Sequence, residues 1–220
     1  MADLNPFDLT KFKQFAKEGL KHKPSIDKDH EEDLFTMALA LTAATKKVFF
    51  EKSDHKFSSE PSINKRDIIQ FVNRMRIDAM EKFNATTFLS VVNFYKDPKA
   101  MEKNIPLGLI IVYIERTFVP EMLRLFKYPY IDYDNDEEVL DGIGAISNLI
   151  GGCFKKELSR LGYIDLEMSH FRSAINSVQD GVDYCKSQTH KYEINFDVDD
   201  KKRMVVELVM EPLPSAGANN

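Results

Sequence analysis

The sequence is poor in cysteine. Its two cysteines, Cys153 and Cys185, cannot build a disulfide framework or a four-ligand zinc site. Long hydrophobic runs are also missing. The longest, around Ile105 to Ile114, falls far short of the roughly 18 residues that a membrane-spanning helix needs. Residues 1–20 are interrupted throughout by Asp, Lys and Glu, so no secretory signal is expected there. There is no excess of positive charge either. With 30 Lys and Arg against 35 Asp and Glu, the net charge is −5. That argues against a nucleic-acid binder, because phosphate affinity comes from clustered cations. The histidines, His22, His30, His55, His170 and His190, have no metal-ligand spacing with Cys, Asp or Glu. No glycine-rich loop follows a strand to cradle a phosphate, and Ser147 lacks the strand–turn–helix setting of a nucleophile elbow. What is there is a globular balance, 43% hydrophobic and 30% charged over 220 residues. That length suits one domain of ordinary size, or one domain with an appended arm, expected in the cytoplasm.

The patterning predicts an α/β (α+β) domain. Phe7, Leu9, Phe12, Phe15 and Leu20 are spaced for a short helix with lysines between them, and Lys23-Pro24 breaks it. Residues 1–30 therefore read as an N-terminal helical arm, either docked on the body or free to meet a partner. Behind an acidic start at 27–33, Leu34, Met37, Ala38, Leu41, Thr45 and Val48 recur at helical steps. Residues 53–62 read as loop, and the stretch from Ile68 to Ile77 as strand or helix. Residues 85–95, rich in Thr, Val and Phe, predict a strand. Lys96-Asp97-Pro98-Lys99 predicts a turn, 107–114 a second strand buried on both faces, and 116–127 a helix. The longest helix is expected over 136–161, entered at an Asp134-Asn135-Asp136 cap and ended at Gly162. Tyr192 to Val198 and Met204 to Met210 alternate in polarity about Asp199-Asp200-Lys201-Lys202, the pattern of a hairpin. Pro212-Leu213-Pro214 stops it, and 215–220 reads as a disordered polar tail. The expected organisation is an arm (1–30), one domain (31–214) and the tail.

The long helix is unusual. Between Asp141 and Gly152 it holds Gly142, Gly144, Gly151 and Gly152, each of which weakens a helix interior by about 1 kcal/mol relative to Ala. Helices keep glycine where something must approach the backbone closely. Asp141 and Asn148 are seven positions apart, so they lie within about 20° of each other on one face. Ala145 falls between them, while Ile143, Ile146, Leu149 and Ile150 supply the apolar side.

This stretch, the Lys155-Lys156-Glu157-Leu158 that follows it, and the closing hairpin with its Glu211-Pro212-Leu213-Pro214 finish resemble the CheC/CheX/FliY family of chemotaxis phosphatases. The CheX form fits best, over roughly 33–214. In that family an Asp or Ser is followed four residues on by Glu and three further on by Asn, with Pro after another twenty-two residues. The resemblance implies an antiparallel sheet packed against long helices, and a homodimer made by joining sheets. It also implies a partner, a phosphorylated CheY-like receiver in chemotaxis or two-component signalling. The protein would need no cofactor of its own, since the Mg²⁺ is held by the receiver.

Carried over residue by residue, Asp141 takes the first motif position and Asn148 the last, where the family's amide orients the attacking water. The acidic position, which engages the receiver's lysine, is Ala145, and the proline position is Phe171. Losing a charge-assisted contact costs roughly 1.5–3 kcal/mol. Asp141, one turn back, or Glu138, further still, are the nearby carboxylates. Two readings follow: a phosphatase with Asn148 and Asp141 as its catalytic residues, or an inactive receiver-binding or scaffold protein. Asn148 as a packing residue and Asp141 as a solvated one are the plainer alternatives. Cys153 reads as a small core hydrophobe rather than a reactive thiol.

Overall fold

The computed structural model describes residues 28–53, 57–67, 70–71, 74–75, 82–129, 131–176 and 190–211. The expected arm up to residue 27, the Pro212-Leu213-Pro214 stop and the tail at 215–220 lie outside the described residues, as does Cys185. In chain order the elements are α1 (Lys28–Ser53), β1 (Ser62–Asp67), β2 (Gln70–Phe71), β3 (Arg74–Met75), β4 (Thr87–Tyr95), α2 (Pro98–Glu102) and β5 (Gly108–Glu115). There follow α3 (Val119–Leu125), α4 (Asp136–Arg160), β6 (Glu167–Met168), β7 (Arg172–Ile175), β8 (His190–Val198) and β9 (Lys201–Met210). β2 and β3 form a small ribbon of their own. The other seven strands make one antiparallel sheet in the order β1-β8-β9-β5-β4-β6, with β7 also on β4.

Strand alternation divides the core. Phe88, Val92 and Phe94 of β4 point to the same side as Ile110, Val112 and Ile114 of β5 and as Val206, Leu208 and Met210 of β9. That side receives Met37, Leu41, Ala44 and Val48 from α1, and Ile143, Ile146, Ile150 and Phe154 from α4. The helices can lie side by side on the sheet because each presents one apolar stripe at helical spacing. On the opposite side, Leu89, Val91, Leu109, Ile111, Tyr113, Val205 and Val209 form a second buried cluster against Phe83 and Ala174. β5 is therefore buried on both faces, as its unbroken apolar run implies.

The β8–β9 hairpin turns on Asp199 and Asp200 alone, both with positive φ (51° and 57°). This is the two-residue geometry whose twist matches paired strands; Lys201 and Lys202, expected in the turn, already belong to β9. Three further differences have local causes. Asp97 is a helix cap rather than a turn residue: its side chain accepts from the Ala100 amide at 2.8 Å and opens α2. Residues 62–67, which start at the last residue of the stretch read as loop and otherwise carry no expected element, form β1, which among the described residues pairs only with β8. A polar edge strand carries no apolar alternation to betray it. The short β6 and β7 likewise exist only because β4 offers them a free edge.

The outer face holds a buried charged cluster. Glu193 and Glu207 stand directly opposite each other on β8 and β9, a pairing that like charges disfavour. Lys82 resolves it by donating to Glu193 at 2.5 Å and to Glu207 at 2.6 Å. Lys191 reaches Glu207 at 2.6 Å, and the Tyr113 hydroxyl donates to its second oxygen at 3.0 Å. Glu207 is fully buried. Burial alone would raise its carboxyl, but Lys191 and Lys82 outweigh that and hold it below the usual range. Burial likewise pulls the Lys82 ammonium down, and the two glutamates more than reverse it.

Candidate functional site

α4 begins where the sequence places its cap. The Asn135 side chain accepts from the Glu137 amide at 3.1 Å, and three acidic residues occupy the first turn, where they complement the helix dipole. It ends with Leu161 as C-cap and Gly162 at φ +110°, a conformation open to glycine without penalty. Val139, Ile143, Ile146, Ile150, Phe154 and Leu158 are buried, so the orientation of the helix is set by about 1.5–3 kcal/mol per buried side chain. The opposite stripe faces outward. Asp141 is exposed, and Ala145, Asn148, Gly152 and Lys155 are half-buried along it. Leu149, expected on the apolar side, is instead 41% exposed. It lies about 100° round the helix from Ile150, beyond the edge of the packed face.

Asp141 and Asn148 thus share one accessible face, separated by about 10 Å of helix rise. The Asn148 Oδ1 is buried and has no hydrogen-bond partner among the described residues. Asp141 accepts a hydrogen bond from the Tyr128 hydroxyl at 3.3 Å. Burial, and then the neighbouring Asp141 carboxylate, raise the Tyr128 phenol. Nothing in the sequence marks Tyr128, because it comes from the loop after α3 and meets α4 only in the fold. Glu138 is committed elsewhere: it accepts from the Asp132 amide at 3.0 Å and from Asn135 Nδ2 at 3.1 Å.

The glycines divide by what they touch. A methyl on Gly144 would overlap the ring of Phe171, and one on Gly151 would press Met168 and Val92. These glycines let the β6–β7 segment, tied to β4 by Ser169 and Asn93, lie against the helix. Phe171 therefore fills a notch in α4. A methyl on Gly152 would meet nothing within 4 Å among the described residues. Gly144→Ala is expected to destabilise the protein by about 1–3 kcal/mol through overpacking. Gly152→Ala should stabilise it by about 0.5–1 kcal/mol, the ordinary helix gain. Urea denaturation midpoints of the two variants would separate these effects, and equal shifts would contradict the packing argument.

Other candidates remain structural. The Ser147 hydroxyl is buried and donates to the Ile143 carbonyl at 3.0 Å. Cys153 is half-buried, and burial pushes its thiol up although Lys47 opposes the shift. Among the described residues no three His, Cys, Asp or Glu side chains are grouped to hold a metal ion, and no helix is long and apolar enough to cross a membrane.

No protein-family model matches the sequence, and no curated protein does. Solved structures are similar at the level of the fold. The chemotaxis protein CheX from Desulfovibrio desulfuricans is 15% identical with a TM-score of 0.51, over 80% of this chain and 99% of that one. CheX from Vibrio vulnificus is 14% identical with a TM-score of 0.51, over the same shares. FliY from Thermotoga maritima is 11% identical with a TM-score of 0.51, over 87% of this chain and 92% of that one.

Proposed function

We propose, from the CheC/CheX/FliY-like fold of this chain, that it binds a phosphorylated CheY-like receiver domain in chemotaxis or related signalling and promotes hydrolysis of the receiver's aspartyl phosphate. The observation that carries the reading is Asn148, an amide on the outward face of α4 whose buried oxygen has no hydrogen-bond partner among the described residues. The side chain as a whole is half-buried, and its Nδ2 amide, unlike the oxygen, is not closed off, so Asn148 can donate to a water and orient it for in-line attack on phosphorus. Phosphoryl transfer asks for positioning and charge neutralisation more than covalent help. The Mg²⁺ belongs to the receiver and supplies the neutralisation there. Asp141, steadied by Tyr128, is the carboxylate on the same face.

The second reading is an inactive receiver-binding or scaffold protein. Ala145 favours it, because this position offers no carboxylate to a receiver lysine, and so does Phe171, whose ring occupies the Gly144 notch. We expect a cytoplasmic homodimer in either case, which molar mass in solution would check.

Single-turnover decay of phosphorylated receiver, with Mg²⁺ and with or without this protein, separates the readings. Each receiver of the same organism would be tried. Faster decay supports the phosphatase. Unchanged decay with measurable binding supports the scaffold, and neither decay nor binding rejects both.

A further inference from the structure

We propose that the outward face of α4 is a charge-polarised docking surface, meeting a folded partner whose basic side chains lie over Asp141 and whose acidic ones lie over Lys155 and Lys156. This rests on the reading of α4 as a receiver-binding helix and adds the direction in which the partner lies along it.

The charges without a salt-bridge partner on this helix are segregated. Asp136 faces Arg116 at 3.7 Å, Glu138 is held by the cap loop, and Glu157 pairs with Arg160 at 2.8 Å. Among the described residues, Lys155 and Lys156 form no ion pair, and Asp141 has only the Tyr128 phenol. Glu137, one turn before Asp141 on the same stripe, is exposed and also has no salt bridge among the described residues, so two negative charges stand at one end of the face and two positive charges at the other. The helix rise between Asp141 and Lys155 is about 21 Å, a span that a partner patch of about 800 Å² covers.

The helix dipole does not account for this arrangement. Its influence fades within the first and last turns, and Asp141 and Lys155 both lie inside α4, beyond those turns. Between the two ends, Ala145 and Gly152 hold no large side chain up against an approaching surface. Gly152 weakens the helix by about 1 kcal/mol although a methyl there would meet nothing within 4 Å among the described residues, as expected where another molecule lies against the backbone. Asn148 sits at the centre, and Leu149, 41% exposed, borders the face. Electrostatic complementarity of this kind selects orientation and register.

The test uses the full chain and a CheY-like receiver activated with beryllofluoride and Mg²⁺, with affinity measured by calorimetry at low and high salt. The Lys155→Glu/Lys156→Glu double variant is expected to bind at least about tenfold more weakly at low salt, and Asp141→Lys to weaken binding as well. Both losses should shrink at high salt as screening takes over. The Lys155→Gln/Lys156→Gln pair should show a smaller loss in the same direction, with unchanged thermal unfolding. Undiminished affinity in the double glutamate variant would overturn the polarity and leave receiver binding standing. Tighter binding by Asp141→Lys would do the same, pointing to a uniformly acidic partner surface. If the unaltered protein binds no activated receiver of the same organism, the functional reading itself fails and the polarity with it.

Discussion

Glu207→Gln is expected to cost about 3–5 kcal/mol of folding stability, because it leaves Lys82 and Lys191 buried beside a neutral amide. That is a large part of the roughly 5–15 kcal/mol that holds a domain folded. The substitution keeps the shape of the side chain, so packing loss cannot explain the effect. Glu193 cannot take over, since it contacts Lys82 but has no ion pair with Lys191 among the described residues. Replacing Glu207, Lys82 and Lys191 together by apolar residues of similar volume should recover much of the loss, as buried ion pairs often prove close to neutral against well-packed substitutes. Urea unfolding of the single and triple variants checks both statements. If Glu207→Gln unfolds at the unaltered midpoint, the cluster contributes little.

The same cluster sets the pH behaviour. Glu207 has a lowered carboxyl, so its contribution is complete above the ordinary glutamate value, about 4.3. It is lost as pH falls from there through the lowered value. Lys82 has a raised ammonium; its contribution is complete below the ordinary lysine value, about 10.4, and is lost as pH rises through the raised value. Stability from the cluster is therefore full across the neutral range and falls at both extremes. In Glu207→Gln the acid arm of that profile should flatten.

The second large effect concerns the reaction. Ala145→Glu adds a carboxylate one turn from Asn148 on the same half-exposed stripe. If a receiver lysine is the missing contact, dephosphorylation should rise by one to two powers of ten, from roughly 1.5–3 kcal/mol of charge-assisted bonding. Asn148→Ala should remove the water-orienting amide and slow the stimulated decay by about 100-fold, with receiver binding retained. Single-turnover decay and binding, measured together, separate the outcomes. No gain from Ala145→Glu despite intact binding would sink the idea of a phosphatase site lacking one residue. Unchanged decay in Asn148→Ala would take Asn148 out of the mechanism.

Much of this architecture is written in local pattern. The periodicity from Leu34 to Val48, the unbroken run in β5, the Asn135 cap and Gly162 stop of α4, and the alternation of β8 and β9 each specify their element. Backbone geometry and side-chain burial repeat there at fixed sequence intervals. The seven-residue spacing of Asp141 and Asn148 places both on one face by the same arithmetic. Contacts between distant segments leave no such trace. β1, β6 and β7 are strands because β8 and β4 hold out unpaired edges to them. Tyr128 reaches Asp141, Phe171 fills the notch at Gly144, and Glu138 turns back to the cap loop, all through packing across the chain. Four glycines could be read from the sequence as an invitation to close approach. Folding alone decided that Gly144 and Gly151 receive the protein's own β6–β7 segment while Gly152 stays open to the described residues, because a glycine's neighbours are set by the path of the whole chain and not by the residues beside it.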